Sequence, residues 1–284
     1  MPADSPARYT PWTKGVYEVA PGLRPFGTDF GNGEADQRLF QIDNEFPRYL
    51  ANKRAALAEW PSKYVCRSIL SRKVETAAAD LIQQRLQLEY PDQKVTATTL
   101  DQLALLVPED LVVVRTRDKE NWVAYLHLCS PSHWAAKSKV GRSFFDVHAP
   151  IPGFERANAV SDGLVDAMVN KGPFVRFVWG VESDDRLNHH PDPPPGRTKD
   201  EWLGRRFSLG RFYVRTERQV IWGLPGVGAA LFTIRVGHIP DHEILADESL
   251  RRPLVEALDS MSPAARDYKG LTREWDSLMK LLTP

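Results

Sequence analysis

The chain has little cysteine, no net charge and no long apolar run, and each shortage removes a class of function. Its two cysteines, Cys66 and Cys129, cannot build a disulfide framework and are too few for a four-thiolate zinc or iron–sulfur site. Lysine plus arginine and aspartate plus glutamate each number 37, for a formal net charge of +0. No overall basic field is therefore available for nucleic acid or an anionic membrane. No uninterrupted apolar stretch approaches the ~18 residues that a membrane helix requires. The start, Met1-Pro-Ala-Asp-Ser-Pro6, lacks the basic-then-apolar signature of a secretory signal. The expectation is a soluble, cytoplasmic protein with neither nucleic-acid nor membrane partners. HExxH is absent, Ser132 and Ser161 lack a GxSxG context, and no GxGxxG follows a strand to open a helix. Gly223-x-x-Gly226-x-Gly228 has no following Lys-Ser/Thr and joins two strand-like runs, so it is not a phosphate loop.

What is there is globular. Of 284 residues, 42% are hydrophobic and 26% charged, which suits one large domain or two small ones. The 22 prolines and 8 tryptophans point to fixed loops and large aromatic anchors. Residues 1–42 read as an extended arm tied down by Trp12, Leu23, Phe26, Phe30 and Phe40. Helical spacing begins after the candidate cap Asp43-Asn44 and stops at Pro61. A second helix is predicted over 74–90, with Ala78, Leu81, Ile82 and Leu86 on one stripe, and a helical turn over Leu100–Leu106.

The texture then changes to β. Leu111–Arg115 and Trp122–Leu128 flank the turn signal Asp118-Lys-Glu-Asn121 and read as a hairpin. A mixed stretch runs to Pro150-Ile-Pro152-Gly153, and Ser161 is a candidate cap for a helix ending near Asn170. Phe174–Val181, Arg211–Trp222 and Ala229–Val236 read as strands, the last two joined by a turn at Gly223-Leu-Pro225-Gly226. The last 40 or so residues are helical in pattern. Two strands, a helical insert and three strands predict an α+β fold: a five-stranded antiparallel sheet with flanking helices and a helical N-terminal extension. That order is the PAS arrangement, one of several α+β options that the pattern allows. The organisation expected is a single unit over 1–284, with an arm and helices over 1–106, a sheet core over 107–240 and helices over 241–284.

The strand Arg211–Trp222 carries the most chemistry. Period two places Phe212, Val214, Thr216, Arg218, Val220 and Trp222 on one face, and Arg211, Tyr213, Arg215, Glu217, Gln219 and Ile221 on the other. A buried guanidinium needs a partner. Arg218 therefore either pairs with a core carboxylate or faces an anionic ligand such as a propionate. His148 sits between the apolar Phe144–Val147 segment and two prolines. Residue physics favours a core histidine bonded to a backbone carbonyl. With a haem present, it is a sensible axial ligand. His189 and His190, in the loop His189-His190-Pro-Asp-Pro-Pro-Pro195-Gly196, read as a solvated pair in preference to a metal site, and Cys129 as an inert thiol.

Several segments together resemble the haem-dependent oxidative N-demethylase alpha-subunit-like family. They are Pro21-Gly-Leu-Arg-Pro25, Phe40-Gln-Ile-Asp43 with Tyr49 and Lys53, Pro108-Glu-Asp-Leu111, and Pro131-Ser-His-Trp134 with Lys137, Lys139 and Gly141. Val147-His-Ala-Pro-Ile-Pro-Gly153 is the core of the match, followed by Val214-Arg-Thr-Glu-Arg-Gln219, Leu231-Phe-Thr-Ile-Arg235 and Tyr268-Lys-Gly-Leu271. The resemblance implies a PAS-fold haem oxidoreductase, a monooxygenase-type N-demethylase. It would use O2 and externally supplied electrons to oxidise a carbon next to nitrogen in a small secondary amine such as dimethylamine. Haem b would be held by His148, with Arg215 and Arg218 as candidates for its propionates or the substrate. Glu217 and Arg218 are the candidate catalytic side chains; the other reading of Glu217 is a cross-strand ion pair with arginine. Val178 and Trp179 are expected at the substrate pocket. Here Arg176-Phe-Val178-Trp179 departs from the family's Arg-x-Asn-Trp, which leaves open a different substrate. The chain cannot supply electrons itself, so a separate flavin and iron–sulfur reductase with NADPH is implied. The rival readings are a haem-PAS sensor, a biosynthetic haem oxygenase acting on a larger amine, and a scaffold without haem.

Overall fold

The computed structural model describes residues 5–118, 120–154 and 161–283, apart from the side chains of Ser161 and Asp162. Among these residues seven strands make one antiparallel sheet: β1 (Arg24–Pro25), β2 (Val65–Arg67), β3 (Asp110–Arg117), β4 (Glu120–His127), β5 (Phe174–Glu182), β6 (Tyr213–Leu224) and β7 (Ala229–Pro240). Their order is β1-β5-β6-β7-β3-β4-β2. The five strands expected from the sequence form the middle of this sheet. The expected count of five is corrected to seven, because two short pieces of the N-terminal region are added at its edges. Arg24 and Pro25 pair with Val175 and Phe174, and Val65–Arg67 pair with Tyr125–His127. Strands of two and three residues carry no alternation, so no sequence period announces them.

Helices α1 (Phe46–Glu59), α2 (Pro61–Tyr64), α3 (Arg72–Glu89) and α4 (Leu100–Ala104) precede β3. In α3, Val74, Ala78, Ile82 and Leu86 recur every four residues and are buried, one apolar stripe of an amphipathic helix. They pack with Leu111, Val113, Val220 and Leu231 of the sheet. The expected cap at Asp43-Asn44 is displaced: Glu45 precedes α1 without a side-chain cap bond. Asp43 instead forms a buried 2.6 Å ion pair with Arg235, whose guanidinium lies 3.9 Å from the centre of the Tyr49 ring. Lys53, also in α1, is fully buried, and its ammonium donates to the carbonyls of Ala104, Val107 and Glu109 at 2.6–2.9 Å. Its three protons thus have three acceptors.

The insert between β4 and β5 contributes α5 (Ala136–Lys139), α6 (Phe144–His148) and α7 (Ser161–Asn170); the cap expected of Ser161 lies outside the described residues. Helix α8 (Lys199–Trp202) lies in the long loop before β6. Helices α9 (Asp241–Ala246), α10 (Glu248–Asp259), α11 (Pro263–Tyr268) and α12 (Trp275–Leu282) end the chain. These last helices bury Leu254, Leu258 and Leu278 against Trp12, Val181, Val214 and Ile239. The N-terminal arm, α3 and the C-terminal helices thus cover one face of the sheet. The insert covers the other. Among the described residues, no helix is long and apolar enough to cross a membrane.

Candidate active site

Cross-strand register decides which side chains meet between sheet and insert. Val178 pairs with Glu217, Gly180 with Arg215, and Arg176 with Gln219. Because side chains alternate, these residues share one face, and they line a cavity of about 300 Å³. That volume is at the lower end of the range for cofactor and ligand pockets. The wall has two halves. Val112, Val114, Phe232 and Ile234 make an apolar half, while Arg176, Glu182, Arg215 and Glu217 make a charged one. Phe144, Val147, His148 and Ile151 of the insert close the cavity over the sheet.

His148 is the last residue of α6, a helix whose start is fixed by the Ser143 side chain accepting from the Asp146 N–H. Its Nδ1 lies 2.7 Å from the Phe144 carbonyl oxygen, so Nδ1 carries the proton and donates it there. Nε2 then keeps its lone pair and has no hydrogen-bond partner among the described residues. The ring is held between Phe144 and Phe154, at centroid distances of 4.2 and 5.0 Å. Burial lowers its pKa to about 4, only partly offset by the bond to Phe144. The imidazole is neutral at physiological pH, fixed in tautomer and orientation. A ligating histidine characteristically donates its other N–H to a carbonyl in this way.

Around the charged half, Glu217 accepts from the Ser132 hydroxyl and, at 2.8 Å, from Gln219 Nε2. No guanidinium or ammonium lies within ion-pair distance of it among the described residues. The cross-strand pair expected as one reading of Glu217 is not formed. Arg215 donates to Ser132 Oγ at 2.8 Å and to the carbonyls of Ser130, Arg186 and Leu187 at 2.7–3.1 Å. Its donors are committed to tying two loops to the sheet. Arg176 differs, since its Nε is buried without a hydrogen-bond partner among the described residues. Burial lowers its pKa and Glu217 raises it. Lys269, from the turn after α11, donates to the Trp179 carbonyl at 2.9 Å. Burial lowers its pKa to about 8, opposed by Glu217.

Of the residues singled out in the sequence, His148, Val178, Arg215 and Glu217 meet at this cavity. Arg218 does not. It lies on the opposite sheet face, donating to the Arg38 carbonyl at 2.9 Å, with its guanidinium 6.0 Å from the Tyr9 ring centre and 5.8 Å from that of Phe26. Trp179 contributes to the cavity rim, but its ring packs on the far face against Trp12 and Tyr17, with centroids 6.1 and 5.9 Å away. His189 and His190 are not a solvated pair; they are 1% and 2% exposed. The loop carrying them bridges to Ser132, and Asp184 lies 2.9 Å from His189 Nε2. Lys139, Arg176 and Lys269 stood within matching motifs without an assigned role. His133 also stood in a matching motif, Pro131-Ser-His-Trp134, without an assigned role, whereas Glu182 and Arg205 gave no local signal because the contacts that bring them to the cavity are long-range.

A haem fits these residues. The donor set has one neutral imidazole with a free nitrogen, the walls beside it are apolar, and the orphaned Arg176 guanidinium suits a propionate. Residues 84–279 match the family model described as haem-dependent oxidative N-demethylase, alpha subunit-like. The chain belongs to that family, whose name is that of one component of a multi-subunit enzyme.

Proposed function

We propose that this family member is the haem-carrying, substrate-oxidising subunit of an N-demethylase-type enzyme, with haem b held by His148. The observation that carries this reading is the His148 tautomer: Nδ1–H is bound to the Phe144 carbonyl and Nε2 is left to a metal at the wall of the cavity. A PAS-like reading of the core is supported by its order β4-β3-β7-β6-β5, with the helical insert between the second and third of these strands in sequence. When bound, haem supplies the dioxygen chemistry that oxidises a carbon next to nitrogen. Overall, the N-methyl amine, O2, two electrons and two protons yield the demethylated amine, formaldehyde and water. The electrons come from a separate flavin and iron–sulfur reductase that uses NADPH, since two cysteines cannot supply such a centre here.

The chain's own residues provide the setting. Glu217, held by Ser132 and Gln219, offers a carboxylate to a cationic amine on the charged half. Arg176 anchors an anionic group, either a propionate or a substrate carboxylate. The apolar half excludes water from the oxidised carbon. Val178 stands beside Glu217 in register, where the family pattern has asparagine, and this favours an amine larger or less polar than dimethylamine. Val178→Asn should raise kcat/KM for dimethylamine relative to larger amines by roughly fivefold, about 1 kcal/mol for one gained hydrogen bond. An unchanged ratio would remove Val178 as a selector.

The test of the whole reading uses protein expressed with haem supply, a surrogate reductase, NADPH and a panel of secondary and tertiary amines. Aldehyde release and oxygen uptake should both appear. His148→Ala should lose or sharply shift the Soret band. Haem-loaded protein that binds oxygen reversibly but oxidises nothing on the panel would make the chain a sensor.

A further inference from the structure

Beside the haem cavity lies a second group of ligating side chains that the demethylase reading does not use. His133, Glu182 and His189 each offer one donor atom, and these atoms lie within 4.8 Å of one another. Two loops and a strand end converge to make the group. The His133 N–H donates to the His189 carbonyl at 3.0 Å, and the His189 N–H donates to the Pro131 carbonyl at 3.0 Å. The two imidazoles stack with centroids 5.2 Å apart and planes 10° from parallel. Holding His133 there requires a left-handed backbone, φ 64°, a conformation uncommon for any side chain but glycine.

The polar atoms of this group are only partly satisfied by the described residues. His133 Nε2 is 2.8 Å from Glu182, and His189 Nε2 is 2.9 Å from Asp184, which is itself held by Arg186. Each ring directs its Nε2 to a carboxylate, and its Nδ1 is buried with no hydrogen-bond partner among the described residues. Glu182 Oε2 is likewise buried and accepts no hydrogen bond among the described residues; it forms an ion pair with Arg205 at 3.5 Å. By contrast, the other buried grouping, Asp110 with His127 and Cys129, has its carboxylate filled by the N–H groups of Cys129 and Ser130.

We propose that His133, Glu182 and His189 form a second, non-haem metal site for a borderline divalent transition ion such as Zn(II), with Asp184 orienting His189 from behind. Two imidazoles and one carboxylate suit such ions, whereas magnesium and calcium demand mainly oxygen. Bond lengths of about 2.0–2.2 Å place neighbouring ligand atoms about 3.4 Å apart, a modest contraction of the group as it stands. His133 and Glu182 are also walls of the cavity below the insert, so the site borders the chamber proposed for substrate. The inference does not depend on haem binding.

The experiment takes the full-length, haem-loaded protein, removes loosely held metal with a chelator, and titrates it with Zn(II) by calorimetry. Elemental analysis then gives the retained metal per chain. The wild type should keep one equivalent. Glu182→Gln and His189→Ala should each weaken Zn(II) binding by roughly a hundredfold, and Asp184→Asn by tenfold or more, with Soret bands and melting profiles matched to wild type. His148→Ala should lose the Soret band yet keep its zinc, which separates this site from the haem reading. His242→Ala, at an exposed histidine, should bind normally. No retained equivalent in the wild type, or retention that survives both Glu182→Gln and His189→Ala, would overturn the proposal and leave the group as an electrostatic network. Should either ligand variant fail to fold, the Asp184→Asn affinity decides in the same direction.

Discussion

Two arginines of the cavity look alike in the sequence and differ in what they hold. Arg215 gives hydrogen bonds to Ser132 Oγ and to three backbone carbonyls of the 130–132 and 186–187 loops. Arg176 leaves Nε buried without a partner. Replacing Arg215 by methionine strands buried carbonyls and should cost about 3 kcal/mol of stability. Arg176→Met removes a guanidinium that the protein itself does not satisfy, so in haem-free protein it should be neutral or stabilising. It should nevertheless weaken haem retention or raise KM for an anionic substrate. Urea unfolding of the haem-free variants, set beside haem titration, checks both; equal losses of stability would refute the distinction.

Helix α7 and strand β6 are locked at one close approach. Gly223 lies against the end of the helix, where an added Cβ would sit 2.2 Å from the Val169 carbonyl oxygen and 2.8 Å from its carbon. Backbone cannot yield there as a flexible side chain can. Gly223→Ala should therefore push α7 off the sheet, loosening Val165, Met168 and Val169 from Ile221 and Ala230, at a cost of about 2 kcal/mol. Gly226, whose Cβ would meet nothing within 4 Å, is the control: Gly226→Ala should melt within a degree or two of wild type. Similar melting of both variants would show that the α7 contact is slack. At the same scale, the alternation of β6 made its two faces legible, as did the stripe of α3 and the turn at Gly223–Gly226. The edge strands β1 and β2 stayed hidden, being too short to show any period.

Over the whole molecule, burial of neutral histidines makes stability depend on acid. Burial holds the pKa of His127 down to about 3 and that of His238 well below its usual value, with both ring nitrogens of His238 lacking partners. In the unfolded chain each takes up a proton near pH 6.5. Below that pH the unfolded chain binds more protons than the folded one, until the folded value is reached, so stability falls as pH falls. The slope should approach about 1.4 kcal/mol per pH unit for each histidine. Urea midpoints between pH 7 and 5 should drop accordingly, and His127→Gln should remove its share of the slope whatever it does to the absolute value. A flat wild-type profile would contradict the buried, neutral assignment.

The sequence by itself determined the order of the five central strands and the longer helices, the two-faced character of β6, and the setting of His148 between an apolar segment and two prolines. All of these are written in neighbouring residues, through period, turn chemistry and composition. Only the tertiary structure decided which face of β6 looks into the cavity. Alternation defines two faces but is blind to what covers each, so Arg215 and Glu217 reached the cavity while Arg218 went to the N-terminal arm. The same holds for the loop before β6. Its prolines and histidines read as solvated, but its contacts with Ser132 and Asp184 bury His189 and bring it to His133. Ser132 and His133 are separated in sequence from His189 by the whole insert and β5, and only folding makes them neighbours.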